Sequence, residues 1–378
     1  MSRIHVIGQR KKTGHYIIGL FLERAEMSIV VNPEKLLRYV TEIFVKTGLN
    51  PEYAETVADN LIQADLRGVR SHGLVQVKNY VEWYASGRYN TKPEIRVLRE
   101  SDATILIDAD HGPGSVVGKL AMNRVIEKAK KTGVATGAVR NGTHFGMAAY
   151  YALDAVKEDM IGFAFTNSPT LVAPYGGYIR ELGTNPICIA VPADKHKPVV
   201  FDAATSEAAY NKIFFARTEG RKIPLNWAVD GNGEPTDDPG VAIDEGALVP
   251  FGGYKGFGLA FIVNILTGIL SGSSIAHDEN GGPVEDIQNV GFNFGAIDIS
   301  RFADKQEFKQ AVDIFIKRIK ESARKNSDIP IYVPGEPEDI RKENALRNGL
   351  EIFDGTERDL VAVSELLGTK LKLSDCGI

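Results

Sequence analysis

The chain has 378 residues, with 44 Lys and Arg against 49 Asp and Glu and a net charge of −5. This length exceeds the ~100–200 residues of a typical domain, which predicts more than one domain. The composition, with 43% hydrophobic and 25% charged residues, argues against long disordered regions. The acidic balance argues against a nucleic-acid partner, and the two cysteines, Cys188 and Cys376, exclude a disulfide framework and a cysteine-based zinc cluster.

Residues 1–27 differ in composition from the rest of the chain. Basic residues at 10–12 precede a short apolar run at 16–22, which is the order found in a signal peptide. Charged residues follow that run, however, and no small-residue cleavage site is present. We therefore expect a non-structural extension, with Met27 as an alternative start, and a cytoplasmic protein.

Residues 257–270 form the one other segment that invites a membrane interpretation. The segment is shorter than the ~18 residues that span a bilayer, and it contains Gly258, Asn264 and Gly268. The pattern predicts a helix that is buried on all sides, and no membrane partner is expected.

Two Asn-Pro pairs mark the start of the ordered fold. Asn32-Pro33 and Asn50-Pro51 each place a capping side chain before a proline at the first helical position. Apolar residues at helical spacing follow both pairs, and a third helical stretch comes next. These segments predict a helical N-terminal domain over residues 28–100.

Short apolar runs alternate with helical stretches in the middle of the chain, which predicts an α/β domain over residues 101–300. From residue 301 the pattern returns to helix, and residues 301–378 are expected to pack as C-terminal helices on the N-terminal helical domain. The strand-like runs are 104–108, 134–139, 161–166, 187–191 and 199–201.

Glycine is the compositional outlier, with 38 residues, and glycines that let a ligand approach the backbone make a nucleotide cofactor the first hypothesis. Gly112, Gly114 and Gly118 follow a strand and open a helix, as in the dinucleotide fingerprint. Their spacing is GxGxxxG, however, and the next strand supplies no acidic partner for a ribose. A tight turn with close helix packing is the better interpretation, so a Rossmann site is not expected.

Two histidine motifs suit chemistry near neutral pH. His72 lies in RSHG between two predicted helices. It suits either proton transfer or the capping of a helix, and a motif this short favours capping. His144 lies in NGTHFG after a strand, where ligands meet α/β sheets, and a loop histidine without a role is the equal alternative. The other histidines have no partners at metal-ligand spacing, so no metal is predicted.

Three further loops suit an anionic cofactor. Backbone amides near Thr184 and Asn185 suit phosphate groups, as does the helix start that carries Lys255, although that lysine is equally explained as a solvated side chain. Asp202, at a strand end, suits either a ribose hydroxyl or a helix N-cap.

Six segments, in this order, resemble the type 2 malate/L-lactate dehydrogenase family, which also includes ureidoglycolate and sulfolactate dehydrogenases and diketogulonate reductase. The resemblance implies a non-Rossmann nicotinamide-binding α/β domain, a helical domain built from both ends of the chain, and a homodimer. The segments span about 28–355 and are ADLRGVRSHG (64–73), NGTHFGMAAYY (141–151), PYGGYIRELGTNPICIAVP (174–192), FDAATS (201–206), IPLNWAVDGNGEPTDDP (223–239) and GGYKGFGLAFIVNILTGILSG (252–272).

The resemblance also implies the reaction, which is reversible hydride transfer between NAD or NADP and the hydroxyl-bearing carbon of a small 2-hydroxy acid such as malate or lactate. Proton transfer then falls to His144, the preferred general base, or to His72. Substrate contacts are expected from Ser71, Arg67 and Gln76. The matching cofactor-binding positions are Ser168, Thr184, Asn185, Asp202, Ala203, Ala204 and Lys255.

Three positions depart from the family pattern, one of them being Asn293-Phe294-Gly295, which stands where relatives carry a His-Phe-Phe-like segment. Gln76 stands where many relatives carry an arginine suited to a substrate carboxylate, and Asn211 stands where they usually carry glycine. These departures leave the substrate open, with Arg67, Arg70 or Arg180 as alternative carboxylate ligands. Ureidoglycolate oxidation is the first alternative function, and a nucleotide-binding relative without catalysis is the second.

Overall fold

The structure is a computed structural model that describes residues 28–275, 289–326 and 328–378. The expected extension 1–27, with Met27, lies outside the described residues. The helices are α1 (Pro33–Lys46), α2 (Pro51–Leu66), α3 (Val77–Ala85), α4 (Gly114–Thr132), α5 (Ala149–Lys157), α6 (Tyr210–Thr218), α7 (Pro239–Asp244), α8 (Tyr254–Asn264), α9 (Lys305–Lys320), α10 (Glu336–Asn348) and α11 (Asp354–Leu367). The strands are β1 (Ser28–Val31), β2 (Arg96–Glu100), β3 (Thr104–Asp108), β4 (Val134–Gly142), β5 (Met160–Thr166), β6 (Ile187–Val191), β7 (Val199–Ala203), β8 (Ala228–Val229), β9 (Ala247–Leu248), β10 (Val290–Asp298) and β11 (Leu350–Phe353).

The two helix starts expected from the Asn-Pro pairs are confirmed. The Asn32 side chain accepts hydrogen bonds from the Glu34 and Lys35 amides at the start of α1. The Asn50 side chain accepts one from the Tyr53 amide at the start of α2. Each asparagine thus satisfies amides that the first turn of a helix leaves without partners.

A mixed sheet of seven described strands forms the middle of the protein, in the order β2-β3-β4-β10-β5-β6-β7. Strands β3 and β4 run parallel, whereas the other neighbouring pairs in this sheet are antiparallel. The α/β class is confirmed. The arrangement differs from the mostly parallel, doubly wound sheet of a Rossmann domain, as the glycine spacing led us to expect.

Strand β10 lies at the centre of this sheet, between β4 and β5. The sequence pattern did not predict it, because Asn293 and Gly295 interrupt its apolar residues. In the structure the Phe292 and Phe294 side chains are fully buried, and the Phe294 ring lies 5.3 Å from that of Tyr151. A strand from late in the chain therefore joins the two halves of the sheet.

Residues from both ends of the chain share one apolar core. Leu36 and Tyr39 of α1 pack in it with Leu360 and Val363 of α11. The Tyr39 hydroxyl donates to the Leu360 carbonyl at 3.0 Å, and β1 pairs with β11 in antiparallel register. Helix α11 was not predicted from the sequence. The division of the chain at residues 100 and 300 stays a prediction.

Helix α9 lies against loops of the α/β sheet. Its Lys309 pairs with Asp159 at 2.9 Å, and its Asp313 accepts a hydrogen bond from the Lys195 amide at 2.8 Å. Its one fully buried side chain is that of Ile316, although the sequence pattern predicts a whole apolar face. The C-terminal helices thus pack in two places, with α9 on the sheet and α11 on the N-terminal helices.

The expectation of a helix buried on all sides at 257–270 is wrong for this chain by itself. Helix α8 and the π-helical turn after it (Ile265–Ile269) bury one side and expose the other. Phe261 and Ile262 are 51% and 52% exposed. Within the described residues, no helix has the length and apolarity that crossing a bilayer requires. The large apolar side chains on the exposed side are Leu259, Phe261, Ile262, Ile269 and Leu270.

Candidate functional site

The glycines at the start of α4 serve close packing. A methyl group on Gly114 would lie 2.5 Å from the carbonyl oxygens of Thr143 and His144, and one on Gly118 would lie 2.7 Å from the Tyr151 ring. The Thr143 hydroxyl also accepts a hydrogen bond from the Gly114 amide at 2.9 Å. This contact confirms the packing interpretation of these glycines, and it fixes the loop that carries His144.

His72 and His144 come together although their motifs lie far apart in the chain. Their imidazole rings stack with centroids 5.4 Å apart and an angle of 20° between the planes. Both residues are half-buried, His72 in a 3-10 turn after α2 and His144 in the loop before α5. The structure therefore brings the two histidine motifs together, and this pairing weakens the alternative in which each histidine is incidental.

Two tyrosines that the sequence did not single out hold the His144 segment. The Tyr80 hydroxyl lies 2.5 Å from His144 Nδ1, and the Tyr89 hydroxyl accepts a hydrogen bond from the His144 amide at 3.2 Å. Both tyrosines are buried. Because Tyr80 occupies Nδ1, Nε2 is the ring atom left to exchange a proton with a ligand. Helical periodicity places Tyr80 on the apolar face of α3, so the sequence pattern predicts only a core residue at this position.

The same arrangement recurs at His72. A hydrogen bond of 2.8 Å joins the Ser71 hydroxyl to His72 Nδ1, which again leaves Nε2. Asp65 stabilises this turn, because its carboxylate accepts a hydrogen bond from the Leu74 amide at 2.6 Å. Removal of water around this carboxyl raises the pKa of Asp65 to about 7, against the effect of that hydrogen bond.

The surrounding protein displaces water from both imidazoles, which disfavours their charged forms. This effect lowers the pKa of His72 to about 4. Together with the neighbouring His72 ring it lowers the pKa of His144 to about 3. Both rings are therefore neutral at neutral pH in the free protein, and each is able to accept one proton.

Gln76 and Arg67, two expected substrate ligands, each bind other residues, although Arg67 Nη2 is buried without a hydrogen-bond partner among the described residues. The Gln76 amide donates to the Ser71 carbonyl at 2.9 Å, and its oxygen accepts from the Asn79 amide at 3.1 Å. Arg67 is buried and pairs with Asp339 of α10 at 2.6 Å. Their roles as substrate ligands stay predictions.

The other two candidate carboxylate ligands also have partners. The Arg180 guanidinium donates to the backbone carbonyls of Gly246 and Ile243, at 2.6 and 2.5 Å. Arg70 lies over the Phe353 ring, with its guanidinium carbon 3.8 Å from the ring centroid. Arg70 is partly exposed, and its guanidinium also lies 3.7 Å from the Glu351 carboxylate.

Three of the expected cofactor-binding residues form one cluster. The Thr184 amide donates to the Ser168 hydroxyl at 2.9 Å, and the Ser168 amide donates to the Asn185 side chain at 3.3 Å. Asn185 has a φ of 34°, and its amide nitrogen donates to the Ala260 carbonyl at 2.9 Å, so its side chain ties this loop to α8. The Thr205 hydroxyl, which lies in the next loop, donates a hydrogen bond to the Thr184 carbonyl.

Asp202 joins this region to the histidine loop. Its carboxylate accepts a hydrogen bond from the Ala149 amide at 2.8 Å, at the first residue of α5. Removal of water around the carboxyl raises the pKa of Asp202 to about 6. Asp202 lies within β7 and is not itself a helix N-cap, but one of its oxygens reaches the first turn of α5 from a distant part of the chain. Contacts of Asp202, Ala203 and Ala204 with a cofactor stay predictions.

The first turn of α8 suits a cofactor phosphate. Within the described residues no side chain caps this end of the helix, and Lys255 is exposed there. A methyl group on Gly256 would lie 2.9 Å from the Thr205 carbonyl, so this turn adjoins the Ser168–Thr184 cluster. A cation at a helix N-terminus fits the diphosphate of a nicotinamide dinucleotide, although the Gly256 amide of this turn already donates to the Phe251 carbonyl at 2.9 Å. No group of three or more potential metal ligands occurs in the described part of the chain.

Comparisons with known proteins identify the family to which the chain is similar. The protein-family model described as malate/L-lactate dehydrogenase matches residues 31–361. Malate dehydrogenase of Pyrococcus abyssi is 41% identical over 354 residues, which cover 91% of this chain and 97% of that protein. Ureidoglycolate dehydrogenase (NAD(+)) of Escherichia coli K12 is 32% identical, with 88% and 95% covered. The solved structure of sulfolactate dehydrogenase from Methanocaldococcus jannaschii superimposes with a TM-score of 0.83 at 38% identity, and covers 92% of this chain and 99% of that one.

Proposed function

The chain belongs to the malate/L-lactate dehydrogenase family, and on that premise we propose that it catalyses reversible hydride transfer between a nicotinamide cofactor, NAD or NADP, and a small 2-hydroxy acid. It is an oxidoreductase that acts on small hydroxy acids. Its relatives include dehydrogenases named for malate, sulfolactate and ureidoglycolate. The observation that carries the proposal is the stacked pair of neutral imidazoles, each with Nδ1 held and Nε2 left for a ligand.

His144 is the proposed proton-exchanging group. An alcohol gives up a hydride more readily as a base removes its hydroxyl proton. Tyr80 fixes the His144 ring, and its hydroxyl both donates and accepts, so it tolerates a proton on either ring nitrogen. His144 Nε2 takes the hydroxyl proton during oxidation and returns it to the carbonyl oxygen during reduction. His72, stacked on this ring, hydrogen-bonds the substrate with its own Nε2.

The cofactor, when bound, supplies the acceptor or donor of the hydride. The chain contributes the groups that hold it, which we assign to the Ser168–Thr184 cluster, Asp202 with Ala203 and Ala204, and the α8 N-terminus with Lys255. Asp202 also contacts the first residue of α5, five residues after His144. One side chain thus ties the proposed cofactor loop to the segment that carries the base.

The test of the function is turnover by the purified chain. We expect the absorbance of reduced nicotinamide to change when NAD or NADP is mixed with malate, lactate, sulfolactate or ureidoglycolate. One acid is expected to exceed the others in kcat/KM, and that acid identifies the substrate. Binding of NADH without turnover on any of these acids, in either direction, would contradict the proposal and favour a non-catalytic nucleotide-binding relative.

The pH dependence of oxidation follows from the lowered pKa values. Oxidation needs a neutral imidazole, and the pKa values of His144 and His72 lie at about 3 and about 4, below the ordinary ~6.5. We therefore expect the histidine pair to cause no fall in kcat/KM for the hydroxy acid near pH ~6.5 and to cause a decline only toward about pH 4. Circular dichroism at each pH verifies that the protein remains folded. The pKa values of Asp65 and Asp202 lie at about 7 and about 6, so an acid inflection near pH ~6.5 that persists in both Asp65→Asn and Asp202→Asn would show that the base is not this pair.

The exposed side of α8 is the proposed interface of a homodimer. Five large apolar side chains face solvent there, on a helix whose other side packs against the chain. Contiguous exposed apolar surface of this kind marks an association site, and a second copy covers it symmetrically. Asn185 of the cofactor cluster donates to the backbone of this same helix, so dimerisation would also stabilise the cofactor loop. The mass of the protein in solution is the measurement that decides the state.

A further inference from the structure

One carbonyl oxygen beside the histidine pair accepts hydrogen bonds from two side-chain amides. The Gln76 amide reaches the Ser71 carbonyl at 2.9 Å, from the 3-10 turn that follows His72. The Asn211 amide reaches the same oxygen at 3.0 Å, from the first turn of α6, 140 residues further along the chain. Each side chain is half-buried.

This carbonyl belongs to the peptide group that joins Ser71 to His72. A carbonyl oxygen has two acceptor sites, and the two amides fill both, which fixes the plane of the peptide. The plane sets the direction of the side chains on either side of it. The Ser71 hydroxyl is thereby held 2.8 Å from His72 Nδ1, and the His72 ring 5.4 Å from that of His144.

Asn211 lies on the element that follows the proposed cofactor loop. The loop continues from Asp202 through Thr205, whose hydroxyl donates to the Thr184 carbonyl at 2.9 Å, and leads directly into α6. A displacement of this loop therefore moves Asn211 relative to Ser71. A glycine at position 211 would have no side chain to make this link.

We propose that Gln76 and Asn211 form an amide clamp on the Ser71 carbonyl, and that Asn211 is a positioning residue that joins the cofactor loop to His72. Asn211 touches neither the reacting atoms nor His72 itself; it acts through the peptide that orients the imidazole. The effect on turnover rests on the proposed function, whereas the effect on the orientation of His72 does not.

The test uses isosteric substitutions in the full-length protein. Asn211→Asp and Gln76→Glu each replace an amide donor with a carboxylate oxygen, which repels the carbonyl that it faces. Asn211→Gln retains a donor. The matched control is Asn348→Asp at the exposed end of α10, where the amide donates to Asn344. Melting temperature and circular dichroism identify any variant that fails to fold.

Two readouts separate the clamp from the proposed function. In ¹⁵N spectra of the histidine rings, assigned by loss of signals in His72→Gln, we expect the His72 resonances to shift in Asn211→Asp and Gln76→Glu and to remain in place in Asn348→Asp. With the best substrate, we expect kcat/KM to fall about fivefold to tenfold in the first two variants, mainly through KM, because His72 is proposed to bind the substrate. The dissociation constant for NADH is expected to stay within twofold of that of the parent, and Asn211→Gln to recover most of the loss.

Unshifted His72 resonances in both carboxylate variants would overturn the clamp. Shifted resonances with kcat/KM still within twofold of the parent value would overturn its role in turnover. A parent protein that turns over none of the acids contradicts the proposed function instead, and the ring resonances then still decide whether the two amides orient His72.

Discussion

Replacing His144 with glutamine is expected to lower kcat by about 10²–10⁴, the range that general acid–base catalysis supplies. Glutamine approximates the size of the imidazole and keeps polar contact with Tyr80, but its amide does not accept a proton at neutral pH. The loss should therefore appear in kcat, and the dissociation constant for NADH should change little. Steady-state kinetics with the best substrate and titration of the protein with NADH measure the two quantities.

Two further variants make this result specific. His196→Gln removes an exposed histidine that contacts Asp313 at 3.1 Å, outside the histidine pair, and kcat should remain that of the parent. His72→Gln should raise KM for the acid more than it lowers kcat, because His72 is proposed to bind the substrate. A full kcat in His144→Gln together with a large loss in His72→Gln would transfer the role of base to His72.

Replacing Phe261 with glutamate is expected to convert a dimer into a monomer. In the single chain Phe261 is 51% exposed, so the substitution costs the folded monomer little. In a symmetric interface the two copies place their carboxylates against the same apolar surface, and leaving charges unpaired there costs several kcal/mol. Light scattering after size exclusion should show the mass of two chains for the parent and of one chain for the variant.

Leu366→Glu is the matched control for this substitution. Leu366 is a large apolar residue of α11, 80% exposed, and it lies outside the α8 surface. Its replacement adds the same charge and should leave the mass of the protein unchanged. A parent protein that runs as a single chain, or a dimer that survives Phe261→Glu, would contradict the assignment of the interface to α8.

The sequence by itself determined features whose causes lie within a few residues. Asn32 and Asn50 predict the starts of α1 and α2 because a capping side chain reaches amides only two or three positions ahead. The spacing of the glycines at 112–118 predicts packing rather than a Rossmann site for a similar reason. The α/β class follows from alternating runs, and six motifs in order identify the family and its chemistry.

Only the tertiary structure decided which side chains meet. Tyr80 lies 64 residues from His144, and Asn211 lies 140 residues from Ser71, yet each pair is joined by one hydrogen bond. A periodic pattern reports that Tyr80 is buried but not against which group, because that depends on the path of the chain between them. The central position of β10 and the exposed side of α8 have the same origin. An apolar sequence specifies burial, and the neighbour that supplies it is set by the fold or, for α8, by the proposed second copy.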